Sequence, residues 1–259
     1  MTIATAIHPT AVVDSSSAIG SDVHIGAYTV IQAGVEIGED TWIGNHATLC
    51  TGTHLGKRCK VMHGAVIGEI PQDLKFGGED TRVVIGDDVT IREFITIHRG
   101  TKARGETEIG DQTYLMAYVH VAHDCFVGDH VILTNAVQLG GHAWVGPWAT
   151  VGGMVAVHQF CRIGEHAYIG GGFRAVQDVP PYIVAAGEPL RFSGINSVGL
   201  KRRGFSDEAR RNIKRAYRLI YQSSMNRGQA LKEIESTLPQ TREIQEIIAF
   251  VKSSKRGLI

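Results

Sequence analysis

A six-residue repeat of aliphatic side chains constrains the fold of this chain more than any other feature. Over residues 7–169, every sixth residue is Ile, Leu or Val at 25 of 28 positions. The three exceptions are Asp73, Glu79 and Ala103. They fall in two stretches, residues 69–84 and 99–107, after which the repeat resumes in the same phase. We interpret both stretches as excursions from a regular structure, because internal repeats of this kind define the architecture.

A second periodic position lies two residues before each aliphatic one and holds small or β-branched side chains, as at Thr29, Val35 and Ala47. Side chains two residues apart on a strand point to the same face. Each hexapeptide therefore presents one small and one large side chain inward, and it buries them only by stacking on further copies. A period of six fits neither an α-helix nor hairpins with turns about every 8–12 residues. We predict a mainly β fold, a parallel β-helix of hexapeptide repeats.

The repeat stops after Pro180 and Pro181, and the remaining chain has the apolar spacing of helices. Ser206 is a candidate N-cap followed by two acidic residues, which favour a helix N-terminus. The predicted helices lie at residues 206–224, 229–236 and 241–253. We therefore divide the chain into a β-helix, residues 1–189, and a small C-terminal α-helical domain, residues 190–259.

The net charge of zero conceals two parts of opposite sign. Residues 190–259 carry 15 Lys and Arg against 6 Asp and Glu, whereas residues 1–189 carry 11 against 20. A basic segment beside an acidic body can steer an acidic partner, although solvated helix faces produce similar charge runs.

The cysteines and the N-terminus indicate a cytoplasmic protein. The four cysteines lack the paired spacing of a zinc site, and Cys59, Cys125 and Cys161 fall in the small inward register. We expect reduced core thiols. The first eleven residues lack a basic start followed by an apolar stretch, and no run approaches the roughly 20 apolar residues of a membrane span. We expect neither a membrane span nor a nucleic-acid partner.

Candidate chemistry concentrates in the uninterrupted repeats of residues 109–170. Residues 18 apart there should stack in columns, with neighbouring coils about 4.8 Å apart. One column contains His123, Gly141 and Gln159, and the next contains Asp124 and His142. A base, a carboxylate and a glycine amide are thus predicted to meet at one corner of the coil. Such a corner points outward, so its groove needs a second wall from an excursion or a neighbouring subunit.

Three functions are compatible with this corner. A histidine can deprotonate a hydroxyl for acyl transfer, with the carboxylate orienting the imidazole and a backbone amide stabilising the oxyanion. Three histidines can instead bind zinc, as in the carbonic-anhydrase branch of hexapeptide proteins. The third possibility is a binding scaffold with stacked surface histidines. Cys125 does not strengthen the zinc hypothesis, because its register points inward.

Five runs of the sequence are more specific than the repeat. They are PQDLK at residues 71–75, IHRGT at 97–101, HVAHDC at 120–125, GGMVAVHQF at 152–160 and GLKRRGF at 199–205. Together they resemble the acyl carrier protein-dependent UDP-N-acetylglucosamine O-acyltransferases, the hexapeptide-repeat family that begins lipid A synthesis. The resemblance covers essentially the whole chain. It implies left-handed coils of about 18 residues and a homotrimer with sites between subunits.

The resemblance also implies an activity and a set of site residues. An (R)-3-hydroxyacyl group would pass from acyl carrier protein to the 3-hydroxyl of the glucosamine in UDP-N-acetylglucosamine, without a cofactor or metal. His123 matches the general base, Asp124 the orienting carboxylate and Gly141 the oxyanion donor. The residues matched to the sugar and acyl sites are Asp73, Lys75, His98, His120, His142, His158 and Gln159. Asn196 and Arg203 match the nucleotide site.

The acyl length, one nucleotide contact and the acceptor sugar are less closely defined by the resemblance. Gly171 matches the position that acts as the acyl-length ruler, and its missing side chain predicts a long acyl chain. Many relatives have an acidic residue where this chain has Val198, so one nucleotide contact is missing or replaced. The sequence does not decide between a 3-hydroxyl and a 3-amino sugar. An N-acyltransferase acting on 3-O-acylated UDP-glucosamine is the alternative within the fold, although that family usually has a nucleotide-binding domain before its repeats.

Overall fold

The computed structural model describes residues 5–259 as a three-sided β-helix followed by four helices. Residues 1–4 of the predicted β-helical domain lie outside the described residues. The strands are β1 (Ala6–Ile7), β2 (Val12–Val13), β3 (Ala18–Ile19), β4 (His24–Ile25), β5 (Val30–Ile31), β6 (Glu36–Ile37), β7 (Trp42–Ile43), β8 (Thr48–Leu49), β9 (Thr53–Leu55), β10 (Lys60–Val61), β11 (Val66–Glu69), β12 (Arg82–Ile85), β13 (Thr90–Ile91), β14 (Thr96–His98), β15 (Glu106–Ile109), β16 (Tyr114–Leu115), β17 (His120–Val121), β18 (Phe126–Val127), β19 (Ile132–Leu133), β20 (Gln138–Leu139), β21 (Trp144–Val145), β22 (Thr150–Val151), β23 (Ala156–Val157), β24 (Arg162–Ile163), β25 (Tyr168–Ile169), β26 (Arg174–Ala175), β27 (Ile183–Ala186) and β28 (Arg191–Ile195).

From β1 to β26, every third strand pairs in parallel, so each full coil contributes one strand to each of three sheets. Sheet 1 has the order β1-β4-β7-β10-β13-β16-β19-β22-β25-β27-β28. Sheet 2 has the order β2-β5-β8-β11-β14-β17-β20-β23-β26, and sheet 3 the order β24-β21-β18-β15-β12-β9-β6-β3. The coils wind left-handed, as predicted.

The interior is filled by the two inward positions of each hexapeptide. The aliphatic residue of a strand is buried while its neighbour faces outward, as for Leu139 and Gln138 in β20. The small position is buried as well, and the Thr29 hydroxyl donates to the Gly44 carbonyl at 2.7 Å, which satisfies its polar group inside the core. All four cysteines are buried free thiols. Each fully buried aliphatic side chain contributes about 1.5–3 kcal/mol.

The turns between strands place one residue of each corner in the left-handed region of backbone space. Asp124 and His142 both have φ of 60°. Aspartate and histidine are among the residues that tolerate this conformation best. Side chains at these turns point outward and stack from coil to coil, as for His130 and Trp148 with ring centroids 3.8 Å apart. The corners therefore display columns of polar and aromatic side chains.

Both excursions leave the β-helix at one corner. Residues 70–81 connect β11 of sheet 2 with β12 of sheet 3, and residues 99–105 connect β14 with β15 of the same two sheets. We call this edge the site corner; it includes the turns between β17 and β18, between β20 and β21, and between β23 and β24. These two connections fall within the stretches 69–84 and 99–107 that were predicted as excursions, and they add chain where the candidate residues lie.

The C-terminal part contains α1 (Ser197–Arg202), α2 (Asp207–Gln222), α3 (Arg227–Thr237) and α4 (Arg242–Ser253). The predicted N-cap is confirmed, because the Ser206 hydroxyl accepts a hydrogen bond from the Ala209 amide at 3.0 Å. The sequence missed α1 and β28. The division after residue 189 falls within a hairpin, since β28 pairs antiparallel with β27. No helix within residues 5–259 is long and apolar enough to cross a membrane.

Candidate active site

The site corner carries a shallow groove of about 460 Å³. Its lining includes Gln72, His120, His123, Gly141, His158 and Gln159. The parallel register pairs β17 with β20 and β20 with β23, so the turns that follow these strands stack on one another. The structure thus brings together the column that the 18-residue spacing predicted. Gln72, from the first excursion, supplies part of one wall.

His123 and Asp124 form a directed pair at the centre of the groove. The Nδ1 atom of His123 lies 2.7 Å from Oδ2 of Asp124. An ionised carboxylate only accepts hydrogen bonds, so it holds the imidazole proton on Nδ1 and leaves the lone pair of Nε2 free. A histidine held in this tautomer is suited to act as a general base through Nε2.

The Asp124 carboxylate is buried and fully supplied with donors. Its Oδ1 accepts from the amides of Thr101 at 3.0 Å and Arg104 at 3.2 Å, and its Oδ2 accepts from the Thr101 hydroxyl at 2.7 Å. Burial alone raises the pKa of Asp124, but the hydrogen bonds from His123 and Thr101 outweigh burial, so the pKa lies below its ordinary value. The carboxylate therefore stays ionised beside the imidazole. Thr101 belongs to the second excursion, and the sequence did not predict this role.

Gly141 lies directly against the imidazole of His123. A Cβ atom at position 141 would lie 2.7 Å from both Cε1 and Nε2 of His123. Its amide N–H makes no hydrogen bond to another group within residues 5–259. The equivalent turn amide of Asp111 is capped by the Asp129 carboxylate of the next coil at 2.9 Å. The free amide of Gly141 is thus available for an oxyanion near the base.

Three further histidines surround this pair. The His142 ring meets the His123 ring edge to face at 5.2 Å and stacks on Phe160 at 4.5 Å. His98 and His120 lie edge to face at 5.0 Å, and burial lowers the pKa of His120 to about 4. Burial also lowers the pKa of His98 and His142. These rings are therefore neutral hydrogen-bonding groups at neutral pH.

The geometry of the corner also permits a test of metal binding. His123, Asp124 and His142 each place one ligand atom within 4.8 Å of the others. However, both oxygens of Asp124 already accept hydrogen bonds, and Nδ1 of His123 is bound to one of them. A catalytic zinc site needs three deprotonated protein ligands directed at one point. The donor set around Asp124 does not fit that requirement.

The first excursion brings Asp73 near the groove, whereas Lys75 makes no specific contact there. The Asp73 carboxylate accepts from the Lys75 amide at 3.0 Å, which forms a tight turn, and the charge of Asp73 acts on His142. Lys75 and Leu74 are exposed at the tip of the excursion, and Leu74 is fully exposed.

Asn196 and Arg203 do not join this groove. They line a second groove of about 570 Å³ between α1 and the outer face of sheet 1. Asn196 caps α1 by accepting from the Gly199 amide at 3.1 Å, and its Nδ2 donates to the His166 carbonyl at 2.9 Å. The guanidinium of Arg203 lies 5.0 Å above the Trp148 ring. Within one chain, the two grooves are on different sides of the β-helix.

Arg203 also perturbs His166, a residue that the sequence did not single out. Its Nη1 donates to Nδ1 of His166 at 3.2 Å. Burial, together with the nearby Arg203 cation, lowers the pKa of His166 to about 4. Its position one coil after Trp148, in the same corner column, was available from the 18-residue spacing as a signal.

The buried His166 makes stability depend on pH. Its folded-state pKa lies below the unfolded value of about 6.5, so the unfolded chain binds more protons between pH 6.5 and 4. We expect the melting temperature to fall as the pH is lowered through this window, and to fall less in His166→Gln. Thermal unfolding between pH 7 and 4.5 measures this slope. His8→Gln, at an exposed position, is the control, and equal slopes in all three proteins would contradict the assignment.

Gly171 lies on a different corner from His123. It precedes β26, which is three strands beyond β17 along sheet 2, so the outer face of this sheet separates the two residues. A Cβ atom at position 171 would lie 3.1 Å from the Gly153 carbonyl oxygen. The outer face of sheet 2 therefore lies between His123, the candidate base, and Gly171. The role of Gly171 as an acyl-length ruler stays a prediction.

The fold and the corner groove define the class of protein as a left-handed β-helical acyltransferase of the hexapeptide-repeat type. The chain is 48% identical over 254 residues, 98% of both chains, to an acyl-[acyl-carrier-protein]–UDP-N-acetylglucosamine O-acyltransferase of Thiobacillus denitrificans. It is 46% identical to the protein of the same name from Halorhodospira halophila, with 98% and 99% of the two chains covered. The chain belongs to the family of acyl-[acyl-carrier-protein]–UDP-N-acetylglucosamine O-acyltransferases.

Family models and solved structures agree with this assignment. Residues 178–259 match the second domain of UDP-N-acetylglucosamine O-acyltransferases, and residues 34–69 match the bacterial transferase hexapeptide repeats. The fold is similar to that of a UDP-N-acetylglucosamine acyltransferase from Bacteroides fragilis, with a TM-score of 0.96, 43% identity and coverage of 98% and 99%. It is also similar to that of LpxA from Acinetobacter baumannii, with a TM-score of 0.95 and 40% identity. The match covers 98% of this chain and 99% of that one. The predicted family, fold and acyltransferase class are confirmed.

Proposed function

We propose that this protein transfers an (R)-3-hydroxyacyl group from acyl carrier protein to the 3-hydroxyl of the glucosamine in UDP-N-acetylglucosamine, the first step of lipid A synthesis. The observation that carries the proposed mechanism is the geometry of His123, Asp124 and Gly141. The names of the relatives support both substrates. The buried free thiols are compatible with a reducing cytoplasm, where we place the reaction.

His123, Asp124 and Gly141 each have a separate role in the proposed acyl transfer. Nε2 of His123 removes the proton of the sugar hydroxyl while the hydroxyl oxygen attacks the thioester carbonyl carbon. The resulting oxyanion accepts a hydrogen bond from the Gly141 amide, and Asp124 stabilises the imidazolium. Collapse of the intermediate breaks the carbon–sulfur bond. The departing thiolate of the carrier protein receives the proton from His123, which restores the neutral base.

Kinetics with both substrates test the proposed function. Release of free carrier-protein thiol from 3-hydroxymyristoyl carrier protein should require UDP-N-acetylglucosamine and should show saturation by both substrates. The acceptors to compare are the 3-hydroxyl sugar, its 3-amino analogue and a 3-O-acylated UDP-glucosamine. Faster transfer to the 3-O-acylated acceptor would favour the N-acyltransferase alternative. A panel of acyl chain lengths tests the open groove predicted from Gly171.

The separate grooves lead us to propose a homotrimer with shared sites. The base lies at the site corner, while Asn196 and Arg203 lie beside sheet 1 of the same chain. A second copy can place its sheet 1 groove against the site corner of the first, and Leu74 is exposed on the first excursion beside that corner. A contact between two different surfaces of the same chain is heterologous, and such contacts close into cyclic oligomers such as trimers.

Mixed oligomers test whether the sites are shared. We expect His123→Ala and Arg203→Ala chains to be defective on their own. A 1:1 mixture should regain about a quarter of the wild-type sites. Each shared site takes His123 from one protomer and Arg203 from its neighbour, and each of these residues is intact in about half of the chains. Acyl transfer is measured after co-refolding, with each variant refolded alone as the control. A mixture no more active than its components would contradict a shared site.

Metal removal separates this function from a zinc hydratase. Because Asp124 is already saturated with donors, we expect acyl transfer to stay within twofold of its initial rate after dialysis against a chelator. A loss of activity that zinc restores would contradict the metal-free mechanism.

A further inference from the structure

The last residues of the chain fold back onto the site corner. Leu258 is buried, and the Gly257 carbonyl accepts from the amide of Asp178 at 2.8 Å. The buried Asp178 carboxylate accepts from the Ser254 hydroxyl at 2.7 Å and from the Arg162 amide at 2.8 Å. The tail, residues 254–259, is therefore attached to the β-helix beside the turn that follows β23.

This attachment brings Arg256 to the groove. Its Nη2 lies 3.1 Å from Nδ1 of His158 and 3.5 Å from the Val176 carbonyl oxygen. His158 lines the groove together with His123. A guanidinium from the C-terminus thus contacts a groove residue 98 positions earlier in the chain.

Two neighbours of His158 require opposite protonation states of its Nδ1 atom. The Gln159 carbonyl oxygen, 3.0 Å away, accepts only if Nδ1 carries a proton. Arg256 is always charged and only donates, so its hydrogen bond requires a lone pair on Nδ1. A hydrogen bond from Arg256 to Nδ1 requires the ring proton to lie on Nε2. Without Arg256, the carbonyl favours the proton on Nδ1.

We propose that Arg256 is a positioning residue that fixes the tautomer of His158, so that Nε2–H is presented as a hydrogen-bond donor to the groove. Nε2 makes no hydrogen bond to a protein group in the described part of the chain. The matching ligand atom is an acceptor oxygen of the bound substrate, a carbonyl or a sugar hydroxyl. This inference rests on the proposed function, which places the acyl donor and the sugar in this groove.

Substitution of Arg256 by methionine removes the donor but keeps an unbranched side chain. We expect kcat/KM to fall about tenfold, the value of one substrate hydrogen bond, and Arg256→Lys to recover most of it. Lys255→Met is the matched control, because Lys255 is exposed and makes no hydrogen bond or ion pair within residues 5–259. Equal melting temperatures confirm that the variants are folded. Full activity of a folded Arg256→Met would overturn the inference.

A double-mutant cycle separates this role from a general effect of the tail. In a His158→Phe background, which has no ring nitrogen, Arg256→Met should cost less than twofold further. A second tenfold loss in that background would show that Arg256 acts independently of His158. Ring ¹⁵N spectra give a second measure: Nδ1 of His158 should be unprotonated in the wild type and protonated in Arg256→Met. Unchanged spectra would overturn the inference, whereas an inactive wild type would instead overturn the proposed function.

Discussion

Replacing His123 by alanine is expected to lower kcat for acyl transfer by at least about a hundredfold, the usual contribution of a general base. The variant keeps the fold, because His123 is a turn residue outside the aliphatic core. The measurement is the initial rate with 3-hydroxymyristoyl carrier protein and UDP-N-acetylglucosamine, normalised to protein with a wild-type melting temperature.

The control for this experiment is His54→Ala. His54 is a surface histidine on sheet 3 that pairs with Glu36 at 3.0 Å. It does not line the groove of His123, so its loss should leave the rate within twofold of the wild type. A folded His123→Ala protein with full activity would show that another group removes the proton.

Gly141→Ala is expected to lower kcat by about a hundredfold, the scale of a displaced general base. The added methyl group would lie 2.7 Å from Nε2 of His123, and the imidazole would have to move away from the amide it overlies. The base is then displaced from the oxyanion donor, while the backbone amide of residue 141 is retained. The stability should change little, because the nearest atoms belong to an imidazole at the surface of the corner rather than to the core.

Gly228→Ala provides a glycine control far from the chemistry. Its added Cβ would lie 3.4 Å from the nearest atom, the Oδ1 of Asn226, in the first turn of α3. Alanine is favoured over glycine in a helix by about 0.5–1 kcal/mol, so this variant should be fully active. Wild-type kcat in Gly141→Ala would contradict the close approach of Gly141 and His123.

The repeat made a large part of this molecule predictable from sequence. Period six places Cys125 inward and His123 outward, and a period of 18 stacks Gly141 on His123. These are local consequences of a regular coil. The helix after Ser206 was predictable for the same reason, because its cap and apolar spacing are local signals.

Contacts made by chain outside the repeat were not predictable. Thr101 reaches Asp124 from an excursion, and Arg256 reaches His158 from the other end of the chain. Neither contact has a spacing that a period reveals. Strand β28 and the short helix α1 were missed because they lack periodic apolar residues. The second helix was predicted to begin at residue 229, yet Gly228 lies inside α3, where the cap residue Asn226 determines the start.

The position of the acyl group in the product tests the central claim most directly. Product formed from 3-hydroxymyristoyl carrier protein and UDP-N-acetylglucosamine should be isolated and examined by NMR. The account predicts an ester at the 3-oxygen of the glucosamine, with one carrier-protein thiol released per ester. An acyl group at another position of the sugar, or no transfer by the folded wild-type protein, would contradict it.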